Sequence, residues 1–183
     1  MADATKSTLR QLTQRFSQTG QLNAIYLRPG RGITCVGTQQ VQAITQNGLV
    51  GDRTSNASSR NALAINGLGS KRQVTLIQAE HIAVISAFMG KPIDAAKLRR
   101  NLVVSGINLL AAKSLFKDQS MQLSIGEVVL QVIGPCEPCS KMELALGHGA
   151  YNAMRGHGGI TARIIKGGEL KVGDAVYFSA AES

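Results

Sequence analysis

Several residue types and patterns are scarce in this 183-residue chain. It has no Trp and its aromatic content is only 4%, so a core must be built from Val, Ile, Leu and Ala. Its longest apolar runs, around residues 82–89 and 128–133, are too short to cross a bilayer. The first residues lack the charged and then apolar plan of a secretory leader. These absences predict a globular cytoplasmic protein without a membrane partner.

Cysteine is also scarce, with three residues at positions 35, 136 and 139. That number is too small for a disulfide framework and suits a reducing compartment. Cys35 stands alone in a weak strand pattern, and we interpret it as a small buried hydrophobic residue. Cys136 and Cys139 lie close together in the sequence and need a chemical explanation.

The charge of the chain is strongly basic, with a formal net charge of +9. Such a surface attracts anions. The basic residues are scattered, however, and no aromatic residues are interleaved with them to stack on bases, which argues against nucleic acid. The composition therefore favours a smaller phosphorylated or otherwise anionic ligand.

The apolar pattern predicts a single strand-rich domain behind a helical N-terminal extension. Leu9, Leu12 and Phe16 have helical spacing, which predicts a short amphipathic helix that ends at Gly20. We therefore divide the chain into an extension, residues 1–19, and a main domain, residues 20–183.

Short strands punctuated by glycine dominate the main domain. The predicted strands are residues 22–27, 41–45, 74–77, 102–105, 160–165, 170–172 and 175–178, with a hairpin over residues 121–133. One longer helix is predicted over residues 79–89, ended by Gly90, and residues 51–69 are predicted to form a long loop. The fold class is mainly β (α+β), a small barrel or sandwich with a few short helices.

The segment from Gly134 to Glu143 contains the most informative chemistry. Ser140 and Glu143 have the spacing of a capping box, which predicts Ser140 as the N-cap of a short helix. Cys139 would then lie just outside a helix N-terminus, where the partial positive charge stabilises a thiolate. Pro138 stiffens the loop where a thiol would need to be aimed. The pattern predicts a reactive or metal-binding cysteine.

Other uses of the two cysteines remain open at this point. A redox pair is possible, but no thioredoxin-like βαβ pattern surrounds the Cys-x-x-Cys sequence. A zinc site formed with His148 and His157 is also possible, although the spacing of the histidines is longer than in common zinc fingers. The pattern alone therefore indicates a thiolate of unknown use.

A series of short segments from residue 20 onward points to a known family. They are residues 25–29, 48–53, 98–106, 125–127, 134–139, 155–159 and 168–174. None is specific alone, but in this order they resemble the MOSC family, named for the C-terminal domain of molybdenum cofactor sulfurases. The resemblance implies a barrel-like MOSC fold. It also implies that Cys139 is the family's hallmark cysteine, which binds molybdenum or carries sulfur toward it, with Cys136 as a dispensable companion.

The resemblance further implies a binding site for a molybdenum-pterin cofactor, whose phosphate needs cationic partners. Arg53, Arg99 and Arg100 stand at the family's arginine positions, and guanidinium groups bind phosphate through paired hydrogen bonds. Asn101 would hydrogen-bond the pterin or cap local backbone. Arg155 and the glycines around it would let backbone amides approach the ligand.

Alternatives for these residues also follow from the sequence. Asp52 and Arg53 would pair with each other or with neighbours to hold a turn. If Arg99 and Arg100 continue a strand, they face opposite sides, and the family position then favours Arg99 as the binding residue. The chain departs from many relatives at Thr54, where they have His, so a proton-transfer role at that position is in doubt.

The function implied by the resemblance is that of an oxidoreductase that reduces N-hydroxylated small molecules. Cys139 would be the molybdenum ligand, and electrons would come from a separate protein, because the sequence has no flavin, haem or iron–sulfur motif. One alternative is a sulfur carrier that receives a persulfide on Cys139 from a donor protein and passes it to a cofactor or metal–sulfur cluster. Another is a non-catalytic module that only binds the cofactor, so the sequence leaves open whether the chain is an enzyme.

Overall fold

The structure is a computed structural model that describes residues 7–55, 72–113, 115–116 and 118–180. Its helices are α1 (Leu9–Leu12), α2 (Ala79–Met89), α3 (Ser140–Leu146) and α4 (Ala150–Met154), with short 3₁₀ helices at Ala95–Leu98 and Leu109–Ala112. Its strands are β1 (Gly20–Leu27), β2 (Val36–Thr38), β3 (Gln40–Ile44), β4 (Gly48–Leu49), β5 (Val74–Gln78), β6 (Leu102–Ser105), β7 (Met121–Ile125), β8 (Val128–Pro135), β9 (Ile160–Lys166), β10 (Gly168–Lys171) and β11 (Ala175–Ala180).

Strands β11, β7, β8, β9, β5, β6 and β1 pair in that order and form a closed barrel, because β1 also pairs with β11. The closing contact places Gly20 opposite Val176. Strand β2 extends the sheet beside β1, and β10, β3 and β4 form a smaller sheet. The prediction of a small, strand-rich α+β barrel is confirmed.

Strands β5 and β6 are parallel, whereas the other barrel pairs are antiparallel. A parallel pair cannot be joined by a tight turn and needs a crossover connection. Helix α2 supplies part of that connection and begins directly after β5. Its predicted bounds are confirmed, and Gly90 ends it in the left-handed conformation with φ 63°.

Two apolar clusters lie on opposite sides of the sheet. Leu76 and Leu102 belong to the cluster inside the barrel. Ile77 and Val103, the next residues along the same strands, belong to an outer cluster with α2, α3 and α4. This division follows from the alternation of side chains along a strand. Each fully buried Leu or Ile contributes about 1.5–3 kcal/mol to stability.

The N-terminal segment is less helical than its spacing predicts. Helix α1 has only four residues and begins with a capping box between Thr8 and Gln11. Phe16 lies beyond the helix and packs on Phe178, with 4.7 Å between the ring centroids. Strand β1 begins at Gly20. The boundary between an extension and a main domain at this residue remains a prediction.

The remaining sequence predictions concern the loop after β4 and the membrane. Most of the predicted loop, residues 51–69, lies outside the described residues, and residues 53–55 are helical. Within the described parts of the chain, no helix is long and apolar enough to cross a membrane.

Candidate functional site

The loop that carries Cys139 runs from the end of β8 to the start of α3. The Cys136 N–H donates a hydrogen bond to the carbonyl of Gly159 at 2.8 Å. Any side chain at Gly158 would collide with the Cys136 carbonyl, and one at Gly159 would collide with the Leu76 carbonyl. These two glycines therefore allow the start of β9 to pack directly against β5 and the cysteine loop.

The Arg100 side chain holds this loop through hydrogen bonds to backbone carbonyls. Its side chain is buried, and its Nε, Nη1 and Nη2 atoms donate to the carbonyls of Gly158 (2.6 Å), Leu98 (3.0 Å) and Cys136 (3.0 Å). Burial lowers the pKa of Arg100, whereas the nearby sulfurs of Cys136 and Cys139 favour its charged form. Arg100 is thus a buried cation that bonds to the Cys136 backbone and interacts electrostatically with both thiols.

A second buried group of polar residues lies beside Arg100 and is centred on Asp52. The fully buried Asp52 carboxylate accepts from the Arg28 Nε at 3.0 Å and from the Thr54 hydroxyl at 2.6 Å. Burial alone would raise the pKa of Asp52, but the hydrogen bonds from Arg28 and Thr54 outweigh it and lower the pKa to about 2. Asp52 therefore forms its ion pair with Arg28, a residue more distant in the sequence than Arg53.

Asn101 joins this group to the barrel. Its amide nitrogen donates to the Asp52 carboxylate at 2.8 Å and to the Tyr26 carbonyl at 3.1 Å. Its amide oxygen accepts from Arg28 at 3.1 Å and from the Thr75 backbone and hydroxyl at 3.1 and 2.9 Å. Both ends of the amide are therefore engaged within the protein. The side chain holds the start of β6 against β1 and β5.

Cys139 differs from these residues because it is exposed. It is the N-cap of α3, with an extended backbone, and its side chain makes no capping hydrogen bond. The prediction that Ser140 is the N-cap is therefore wrong, because Ser140 is already helical. The Glu143 carboxylate does not complete a capping box but accepts from the backbone N–H groups of Gly149 and Tyr151 at 2.7 and 2.8 Å.

The other two cysteines lie in different environments. Burial raises the pKa of the half-buried Cys136 thiol, against the opposite effect of Arg100, Arg28 and Arg72. Cys35 is buried, as predicted, and burial also raises its pKa. Of the three cysteines, Cys139 is the most exposed to solvent.

The other three arginines predicted to bind the cofactor are more exposed than Arg100. Arg53 and Arg99 are partly exposed and Arg155 is exposed. Arg99 follows a 3₁₀ helix in the left-handed conformation, with φ 59°, and β6 begins only at Leu102, so the strand continuation considered for Arg99 and Arg100 is not formed. Arg99 lines a cavity of about 150 Å³ together with Lys97 and Cys35.

Sequence reasoning gave no role to Arg28, although it lies in the first of the segments that resemble the family. The structure makes it the partner of Asp52 and Asn101. Its position at the end of a predicted strand, within a matching segment, was a usable signal. Its partners, more than twenty residues away in sequence, were not visible in any local pattern.

The residues proposed for a zinc site do not come together. His148 is fully exposed and lies 3.7 Å from Glu143. His157 packs against the rings of His81 and Phe88, with centroid distances of 4.9 and 5.7 Å. In the part of the chain that the structure describes, no group of three or more His, Cys, Asp or Glu residues is placed to hold a metal ion.

Comparisons with known proteins agree with this architecture. No curated protein gives a significant match. The YUAD protein from Bacillus subtilis has a similar solved structure, with a TM-score of 0.70 and 19% identity over 90% of this chain and 98% of that one. YiiM from Geobacillus stearothermophilus has a TM-score of 0.60 and 16% identity over 89% of this chain and 75% of that one. YiiM from Escherichia coli has a TM-score of 0.58 and 18% identity over 89% and 71%.

At these identities the solved structures show a shared fold. The family model for the MOSC domain matches residues 64–177, which is more than half of the chain. This match includes Cys139 and the polar residues beneath its loop from Arg100 onward. The chain therefore belongs to the MOSC domain family.

Proposed function

We propose that this chain binds a molybdenum-pterin cofactor with Cys139 as the protein ligand of the metal, and that the loaded protein reduces N-hydroxylated small molecules. The proposal rests on a contrast within one loop, between an exposed sulfur and the buried side chain that holds the loop. The Cys139 sulfur is exposed and makes no capping hydrogen bond, while the backbone that presents it is fixed by the buried Arg100. A ligand-binding atom held on a rigid support is what a cofactor site requires.

The residues present fit such a cofactor. A thiolate is a soft ligand and suits a soft metal centre. Arg53, Arg99 and Arg155 have partly or fully exposed guanidinium groups, and no ion pair involves them among the described residues. These groups remain available for the phosphate of a pterin cofactor.

Arg100 and Asn101 have another role in this proposal. Every nitrogen of Arg100 and both ends of the Asn101 amide already bond to the protein. Further contacts from the Asn101 amide would require breaking buried hydrogen bonds, each of which costs about 1–3 kcal/mol to leave unmade. The buried Arg100 guanidinium uses three of its five N–H donors to hold backbone carbonyls. We therefore assign Arg100 and Asn101 to positioning the cysteine loop and the start of β6.

When bound, the cofactor supplies the two-electron chemistry that removes an oxygen atom from the substrate. The protein contributes the fixed sulfur of Cys139 and the cationic groups that orient an anionic ligand. Electrons would come from a separate donor protein.

The sulfur-carrier function is the second candidate, and the exposure of Cys139 favours it as well. A persulfide on an exposed cysteine is within reach of a protein acceptor. The half-buried Cys136, three positions earlier, has a raised pKa and is the less reactive thiol of the pair.

Elemental analysis separates these functions. The wild-type protein and the variants Cys139→Ser and Cys136→Ser are expressed in a host that makes the cofactor and are assayed for molybdenum and cyanide-labile sulfur. We expect stoichiometric molybdenum in the wild type and in C136S, and its loss in C139S. Equal molybdenum in C139S contradicts the proposal, and cyanide-labile sulfur without molybdenum supports the sulfur carrier instead.

A turnover assay then tests the oxidoreductase activity. The molybdenum-loaded wild type is supplied with a chemical one-electron reductant and an amidoxime, and the amidine product is measured. Product formation that C139S lacks supports the enzyme. Bound molybdenum without turnover supports a non-catalytic binding module.

A further inference from the structure

A groove lies at the opposite end of β6 from Cys139 and is independent of the proposed cofactor site. It is formed by two segments, residues 12–18 and residues 106–113 together with residue 115, and we name it the distal groove. Gly106 directly follows the last residue of β6, whereas Arg99 and Arg100 precede its first residue. The strand alone separates the two places by roughly 13 Å.

The distal groove has a volume of about 480 Å³, which lies in the range of sites for small organic ligands. Its walls are mostly apolar. The apolar lining residues are Leu12, Phe16, Ile107, Leu110, Ala111 and Leu115. Leu12 and Leu115 are 50% and 66% exposed, so large apolar surfaces meet water in the groove.

The groove is preformed, because contacts hold the two segments together on both sides of it. The Gln18 side chain donates to the Gly106 carbonyl at 2.9 Å. On the other side, Arg10 forms an ion pair with Asp118 at 3.0 Å and its guanidinium lies 4.3 Å from the centroid of the Phe116 ring. A ligand would enter a cleft that already exists and would not need to order its walls.

Charge selects the class of ligand. Arg15 and Lys113 are exposed on the two segments that form the groove, and none of the described residues that line it is acidic. Two acids border the groove and both are engaged: Asp118 pairs with Arg10 at 3.0 Å, and the Glu80 carboxylate accepts from the Gly106 N–H at 2.7 Å. An apolar cleft with a cation on each wall is complementary to a molecule with an apolar chain and one anionic group.

We propose that the distal groove binds a free medium-chain fatty carboxylate. The chain of the ligand contacts the leucines and Phe16, and its carboxylate lies between Arg15 and Lys113. The binding does not depend on Cys139 or on the proposed cofactor, so it is tested on the protein in either state.

The test is a calorimetric titration of the full chain with decanoate and with decyl glucoside, which has the same chain and no charge, both below micelle-forming concentrations. We expect decanoate to bind and the double variant Arg15→Gln/Lys113→Gln to weaken it at least about tenfold. The matched double variant Arg31→Gln/Lys166→Gln removes the same charge from exposed positions outside the groove and should change the affinity less than about twofold. The variant Leu12→Asp, at a half-exposed position, should abolish binding without unfolding the protein.

Amide chemical shifts locate the ligand. Decanoate should perturb the signals of Gly106 and Ile107 and leave that of Cys136 unchanged. Equal binding of decyl glucoside and decanoate, or equal weakening by both double variants, overturns the proposal. Binding only to vesicles of anionic phospholipid, or a concentration-dependent dimer that Leu12→Asp disrupts, also overturns it and identifies a membrane or a second copy of the chain as the occupant.

Discussion

Two sets of residues, one buried and one exposed, use their polar groups in opposite ways. The anchor network consists of Arg28, Asp52, Arg100 and Asn101, which are buried or mostly buried and hydrogen-bonded within the protein. The partly or fully exposed residues of the proposed cofactor site are Cys139, Arg53, Arg99 and Arg155, and we name them the open face. Buried polar groups are costly unless satisfied, and once satisfied they fix geometry. Under the proposed function, the anchor network determines position and the open face binds the cofactor.

We expect Asp52→Ala, which disrupts the anchor network, to cause the largest loss of stability. The substitution leaves the mostly buried Arg28 guanidinium without its carboxylate and should lower the free energy of unfolding by about 3–5 kcal/mol. Denaturant unfolding measures it. Asp118→Ala removes a carboxylate from an exposed ion pair and serves as the control, with an unfolding midpoint close to that of the wild type. Similar losses of stability in Asp52→Ala and Asp118→Ala would contradict the distinction between a buried and an exposed ion pair.

Arg100→Met should have the next largest effect. It removes the donors to three carbonyls but also removes a buried charge, so it should lower the free energy of unfolding by about 3 kcal/mol, the low end of the cost of three unmade hydrogen bonds. It should also speed hydrogen exchange at the Cys136 amide, because the loop loses its support. Arg163→Met, which removes one side-chain hydrogen bond to Gln131, is the control and should leave that exchange rate unchanged. An unchanged Cys136 exchange rate in Arg100→Met would show that Arg100 does not position the loop.

Acid should weaken the anchor network in a defined pH range. The pKa of Asp52 falls from 3.8 to about 2 on folding, so its stabilisation is present above pH 3.8 and is lost as the pH falls toward 2. The loss amounts to about 2 kcal/mol. The difference in unfolding free energy between the wild type and Asp52→Asn should narrow by that amount from pH 5 to pH 2. A difference that stays constant over this range would show that Asp52 is not the titrating group.

Substitutions in the open face should change cofactor binding and leave stability unchanged. Arg53→Gln, Arg99→Gln and Arg155→Gln should each leave the melting temperature close to that of the wild type, because none of these side chains has an ion pair among the described residues. Each should weaken retention of the pterin cofactor by about tenfold, measured as molybdenum content against free cofactor concentration. Lys166→Gln is the control for charge alone. Unchanged retention in all three arginine variants would remove them from the proposed site.

The parts of this molecule that depend on local sequence were predictable. The bounds of α2 and its end at Gly90 follow from helical spacing and a left-handed glycine. The hairpin of β7 and β8 follows from alternation around Gly126. The exposure of Cys139 agrees with its predicted place beside a helix N-terminus, although the cap residue is Cys139 itself.

The parts that depend on distant partners were not predictable. Glu143 lies at the correct spacing for a capping box, but its carboxylate reaches the start of α4. Arg99 and Arg100 are adjacent in sequence, yet the left-handed backbone at Arg99 sends Arg100 alone into the interior. The closure of the barrel by β1 and β11 joins residues that are more than 150 positions apart. No local pattern contains that information.

The most direct test of the role of Cys139 is X-ray absorption at the molybdenum edge of the loaded wild type and of Cys139→Ser. We expect the wild-type metal to have one more sulfur neighbour than the cofactor alone provides, and C139S to lose either that neighbour or the metal itself. An unchanged molybdenum content with an unchanged number of sulfur neighbours in C139S would contradict the assignment of Cys139 as the metal ligand.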